Sequence, residues 1–188
     1  MAVAAELRQQ RPGCVTVLAG KGEDEPLLRR LIAEHGLQDD VVLLGYQTAV
    51  APLLHAADLY VHAATRENCP YVILEALGAG CPVLALAAGG SPELLAATPE
   101  ACVAPATPPA ALAAQLAALL ADPAARRALQ QRQYAYARPR FDISAMLRGT
   151  LTFYRLAAGL PPPGGGREVA AETAAPLPYP LPTARVEG

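Results

Sequence analysis

The chain has 188 residues, enough to bury a core in one domain with a tail and too few for a large multidomain enzyme. Hydrophobic residues make up 53% and charged residues 17%, but 41 alanines account for much of the apolar share, so a core rich in aromatic rings is excluded. Fifteen basic residues against 17 acidic ones give a net charge of -2, with Lys21 the single lysine and no basic tract, which excludes the electrostatic footprint of a nucleic-acid or anionic-membrane binder.

From the start, Met1 to Gln10 carries Glu6 and Arg8 where an export signal needs an apolar run, and no later stretch reaches the roughly 18 apolar residues of a spanning helix. The expectation is a soluble, unexported, cytoplasmic chain. Cys14 to Gly20 and Val41 to Gly45 are short apolar runs closed by glycine, as buried strands are. Between them Asp24-Glu25-Pro26 opens a helical pattern at Leu27, Leu28, Leu31 and Ile32 that Gly36 ends. Further strands are expected over Leu59 to Ala63, Pro82 to Ala87 and Ala101 to Ala104, and helices over Val50 to Ala56, Tyr71 to Ala79 and Pro92 to Ala97. Such alternation predicts an α/β fold, one parallel sheet of about five strands with helices on both faces. Ser91-Pro92-Glu93 reads as a helix start with Ser91 as N-cap.

Past Pro109, alanine, leucine and arginine fill two helices divided at Asp122-Pro123, an N-cap followed by a first-turn proline. A last amphipathic helix spans Asp142 to Ala157, and residues 161–188, with seven prolines and no periodicity, are expected to be a disordered tail after a domain of residues 1–160. Cys14, Cys69, Cys81 and Cys102 form no CxxC pair and read as free thiols; no metal site is expected, and Asp39-Asp40 reads as a turn.

In a sheet of this kind ligands bind beyond the carboxyl ends of the strands. The loop after Ala63 holds Glu67, then Pro70 at a helix start, then Glu75 eight residues after Glu67. Two glutamates at this spacing arise readily as a capping carboxylate and a solvated helix residue. A helix N-terminus, however, offers free amides to a diphosphate, and a carboxylate one turn in can accept two hydrogen bonds from a sugar diol. The arrangement suits a sugar nucleotide.

The string Glu67-Asn68-Cys69-Pro70-Tyr71-Val72-Ile73-Leu74-Glu75-Ala76-Leu77, with Gly80-Cys81-Pro82-Val83 and Gly89-Gly90-Ser91-Pro92-Glu93 after it, resembles the signature of family 4 glycosyltransferases, also called glycosyl transferases group 1. Leu18 to Gly22, Val41 to Gly45 and Ala57 to Val61 fall where that family places a glycine turn, a strand ending in glycine and the next strand, so the resemblance runs from about Ala2 to Ala157. It implies the C-terminal, donor-binding, Rossmann-like half of a GT-B enzyme, a metal-independent retaining transferase using a UDP- or GDP-linked sugar and no further cofactor. It also implies roles: Glu67 at the donor hexose near the reacting carbon, Glu75 on the ribose hydroxyls, the backbone of Asn68, Cys69, Pro70, Tyr71 and Val72 toward sugar and phosphate, and Gly45 and Tyr46 along the base. Gly89-Gly90 reads as a tight turn, approach to the donor sugar being the alternative in this context, and His62 as a packed strand residue near the cleft.

The family's donor domain opens with a strand bearing Gly-Arg and then Lys-Gly, a cationic clamp for the diphosphate, and neither is found in this sequence. Lys21 lies in the next glycine turn and reads as a solvated loop residue. The expectation is that the chain alone transfers little or no sugar and that an acceptor domain, acting on a glycan, lipid or small molecule, comes from elsewhere. A non-catalytic fragment or interaction module is the alternative. A flavodoxin-like module lacks its acidic cluster here, and a phosphorylase would need a cofactor-bearing lysine that Lys21 is badly placed to be.

Overall fold

The computed structural model describes residues 1–162, so the tail expected from Pro161 lies, beyond Pro162, outside the described residues. The chain divides into two compact units, Met1–Ala145 and Met146–Gly188. In the first, α1 (Ala2–Gln10), β1 (Thr16–Ala19), α2 (Glu25–Glu34), β2 (Val41–Gly45), α3 (Ala51–Ala56), β3 (Tyr60–His62), α4 (Tyr71–Gly78), β4 (Val83–Leu86), α5 (Ser91–Leu94), a 3-10 turn (Pro99–Ala101), β5 (Cys102–Val103), α6 (Pro109–Ala121) and α7 (Pro123–Arg140) follow one another. The last helix, α8 (Ile143–Ala157), carries no buried residue and runs on into the second unit.

All strand pairs are parallel, as alternation with helices requires. They form two hydrogen-bonded groups, β1-β2 and β3-β4-β5, where one sheet was expected. The reason lies in the pairing: among the described residues β1 bonds only to β2 and β3 only to β4, so no strand joins the two groups. The three-stranded group is packed on both faces. Tyr60, Val83 and Ala85 lie against Ile73, Ala76 and Leu77 of α4 and Ala137 of α7, while Leu84, Leu86 and Val103 lie against Leu112, Ala113 and Leu116 of α6. The two-stranded group is packed on one face, where Leu18, Val41 and Leu43 meet Ile32 and Leu37; Val17, Val42 and Leu44, on the opposite face, are exposed.

Helix α1 ties the groups together. Val3 and Leu7 join the cluster of α6 and β4, and Met1, Ala4 and Ala5 join that of α2 and β2. Gly36 ends α2 with φ +64°, a left-handed conformation that glycine adopts without a Cβ penalty, and the Leu37 amide donates to the Ile32 carbonyl at 2.8 Å. Asp122 caps α7 as its sequence predicts: one carboxylate oxygen accepts from the Ala124 and Ala125 amides, both at 2.9 Å. Ser91 is not the N-cap of α5. The cap is Gly90, and Ser91 is the first helical residue, its side chain turned inward and fully buried with no hydrogen-bond partner.

Candidate functional site

β3 ends at His62, and the eight residues 63–70 cross its carboxyl end before α4 begins. Pro70 is the N-cap of α4 and is buried; no side chain caps this helix. The amides of Asn68, Cys69, Tyr71 and Val72 have no hydrogen-bond partner among the described residues, the first of the α4 amides to be paired being Ile73, which donates to the Pro70 carbonyl at 3.0 Å. Unpaired amides at the positive end of a helix dipole attract an anion.

The loop is shaped from the other side by Gly89 and Gly90, which follow β4. Gly89 has φ +52°, and a Cβ there would overlap the Glu67 carbonyl; one on Gly90 would come within 2.5 Å of the Asn68 carbonyl oxygen. The Gly90 amide donates to that same Asn68 oxygen at 2.8 Å. The two glycines therefore let the loops touch backbone to backbone, which fixes where Glu67 and Asn68 stand.

Glu67 is partly buried, with its Oε1 3.5 Å from Nε2 of the buried His62. Nδ1 of that imidazole lies 3.1 Å from the Tyr60 hydroxyl. Glu75, on the second turn of α4, is exposed, and its charge joins that of Glu67 in raising the ionisation of Tyr60, so both carboxylates act on one half-buried phenol. Burial contributes most to that shift, which takes Tyr60 to about 12. Cys69 and Tyr71 are exposed on the same loop and first turn, Val72 is half-buried, and Arg66 is the loop's one cation.

Gly45 and Tyr46 stand at the carboxyl end of β2. Gly45 has φ +66° and its carbonyl accepts from the Gly20 amide at 2.8 Å, joining the turns after β1 and β2; Tyr46 is 73% exposed. No described contact links Gly45 or Tyr46 to the Glu67 loop. Lys21 is exposed in the turn after β1. Among the described residues no group of three or more His, Cys, Asp or Glu side chains could hold a metal ion, and no helix is long and apolar enough to cross a membrane. Two hollows lie elsewhere, one between α2 and β2 around Arg29 and Gln38, the other around Asp58, Gly80 and Arg126; neither is lined by Glu67 or Glu75.

Tyr60 and the contact of His62 with Glu67 are what sequence reasoning missed. The available signal was that residues 60 and 62 alternate along a strand and so share one face of it.

Residues 1–138 match the family described as Glycosyl transferases group 1. The chain is 31% identical over 163 residues to a D-inositol 3-phosphate glycosyltransferase of Segniliparus rotundus, covering 84% of this chain and 36% of that protein. It is 31% identical over 137 residues to the lipopolysaccharide core biosynthesis glycosyltransferase LpsD of Rhizobium meliloti, covering 73% of this chain and 40% of the other. The solved structure of Anabaena Alr3699/HepE in complex with UDP-glucose superposes with a TM-score of 0.72 at 27% identity, over 85% of this chain and 44% of that one. The chain thus spans less than half the length of each of these proteins.

Proposed function

The chain belongs to the glycosyl transferases group 1, and on that premise we propose that it is the donor-binding half of a GT-B transferase of family 4, one that takes a UDP-linked hexose and transfers it with retention and without a metal or other cofactor. The observation that carries this reading is the row of unpaired amides entering α4, flanked by Glu67 before it and Glu75 one turn inside it. The Alr3699/HepE complexes with UDP and with UDP-glucose support the ligand class. The amides of Asn68, Cys69, Tyr71 and Val72 hold the diphosphate, Glu75 accepts from the ribose diol, Glu67 faces the hexose, and Gly45 with Tyr46 flanks the base. The partner is an acceptor domain, and the acceptor a glycan, lipid or small molecule at the cytoplasmic side of a membrane.

The test is calorimetric titration of the full chain with UDP and UDP-glucose. Glu75→Ala should weaken both by about 1.5–3 kcal/mol, the scale of hydrogen bonds to a charged group. Affinity unchanged in Glu75→Ala sinks the ribose assignment, and no binding by the unsubstituted chain sinks the donor reading. A second reading, a non-catalytic pairing module, is favoured by the exposed Val17, Val42 and Leu44 on a sheet whose β1 has one described partner strand; tight association with an acceptor domain without nucleotide binding would select it.

A further inference from the structure

His62 is a buried titratable side chain beside Glu67 to which the donor reading gives no task. Its residue is 7% exposed, and its Nε2 is buried with no hydrogen-bond partner. Buried polar nitrogens left without a partner are rare in folded proteins, so an orphan calls for an explanation. The nearest candidate is Glu67 Oε1 at 3.5 Å, beyond hydrogen-bond length but within reach of a small rotation of a partly exposed carboxylate.

We propose that His62 is a positioning residue for Glu67: its imidazole, paired with the Tyr60 hydroxyl at Nδ1, carries its hydrogen on Nε2, which engages Oε1 and turns Oε2 toward the donor hexose. This rests on the donor-binding reading above. The tautomer follows from Glu67. At 3.1 Å the Tyr60 hydroxyl can donate to Nδ1 or accept from it, so it satisfies either form of the ring, whereas only a hydrogen on Nε2 can engage Oε1. A neutral imidazole that accepts at Nδ1 carries its hydrogen at Nε2. The opposite tautomer would set a lone pair on a buried nitrogen against a carboxylate. The backbone of Glu67 is already held by its contact with Gly89, so the side-chain torsions are the remaining freedom, and an N–H on one oxygen removes it. Besides Tyr60 and Glu67, the ionisable groups that act on this cluster are Glu75 and Cys81.

Long-range proton–nitrogen spectra of the 15N-labelled full chain report the tautomer without any ligand. The expected result is a His62 ring carrying its hydrogen at Nε2 near pH 7.5, with a mixed tautomer in Glu67→Leu and in Tyr60→Phe. A wild-type Nδ1–H tautomer, or a tautomer unchanged in Glu67→Leu, overturns the proposal. Calorimetry then reads the consequence: His62→Phe should lose at least fivefold of the preference for UDP-glucose over UDP, and His62→Gln, which keeps an N–H donor, should recover part of it. An undiminished preference in folded His62→Phe overturns the role. If the wild-type chain binds neither nucleotide, the donor reading falls with the hexose clause, and the pairing of His62 with Glu67 is decided by the spectra alone.

Discussion

Tyr60 loses its proton at about 12 in the folded chain against an ordinary 10.0, first because burial disfavours the phenolate and then because Glu67 and Glu75 repel it. A folded value raised above the unfolded one contributes stability that is complete below pH 10 and is lost as pH climbs from 10 toward 12. Denaturant midpoints of the wild type are therefore expected to fall across that window. Cys81, raised by burial to about 11, adds to the same decline, so the comparison that isolates the phenol is Tyr60→Phe, whose midpoint should fall less between pH 9.5 and 11.5. Equal declines would show that the phenol ionises normally. At neutral pH the protonated phenol shares a hydrogen bond with Nδ1 of His62, and that pairing is invisible in composition: the sequence has seven tyrosines, and the strand alternation of residues 60 and 62 singles out this one.

Helix α7 reaches into the sheet through one side chain. Gln133, 2% exposed, accepts from the Val83 amide and donates to the Val83 carbonyl, both at 2.8 Å, and donates to Thr98 Oγ1 at 3.1 Å. The ladder between β4 and β5 begins only at Ala85, so the Gln133 amide occupies the place a further β5 residue would take beside Val83. Gln133→Leu keeps the volume but strands two buried backbone groups, each costing about 1–3 kcal/mol. A loss of roughly 2–5 kcal/mol in chemical denaturation is expected, and a change under 1 kcal/mol would contradict the bonding described. The contrast with Asp122 shows what a sequence discloses about elements. An N-cap is local, two and three residues from the amides it binds, so Asp122-Pro123 was readable; a glutamine in a run of Gln130, Gln131 and Gln133 declares nothing until β4, 50 residues away, lies against it. Ser91 misled for the opposite reason, because a local cap pattern was outweighed by the burial of its side chain.

On the scale of the first unit, the strand order and the loop-to-helix entry at Glu67 were legible because glycine-closed apolar runs and helical spacing are short-range signals. The division of the strands into two groups was not, since strand pairing depends on which edges meet and no residue pattern states that. The structure makes α1 the joint between the groups, and Leu7, 6% exposed, its most deeply set side chain. Leu7→Ala should cost about 2–4 kcal/mol as a cavity substitution. Hydrogen exchange should also show its effect unevenly: amides of β1 and β2, packed on one face, are expected to speed up more than those of β4, which is packed on both. Uniform acceleration would mean that the two groups unfold as one and that α1 is no hinge between them.

One exposed sulfur gives this face a means of being watched. Cys69 lies between Glu67 and Pro70 in open solvent, whereas Cys81 is buried and the thiols of Cys14 and Cys102 are half-buried and raised by desolvation. Thiolates react and thiols do not, so a brief pulse of a maleimide dye at neutral pH should mark Cys69 ahead of the other three. Peptide mass mapping would confirm the site, and the labelling rate becomes a clock for occupancy: UDP-glucose seated along Asn68 to Val72 should slow it in a saturable way, giving a dissociation constant from a single native atom without radiolabel, acceptor or turnover.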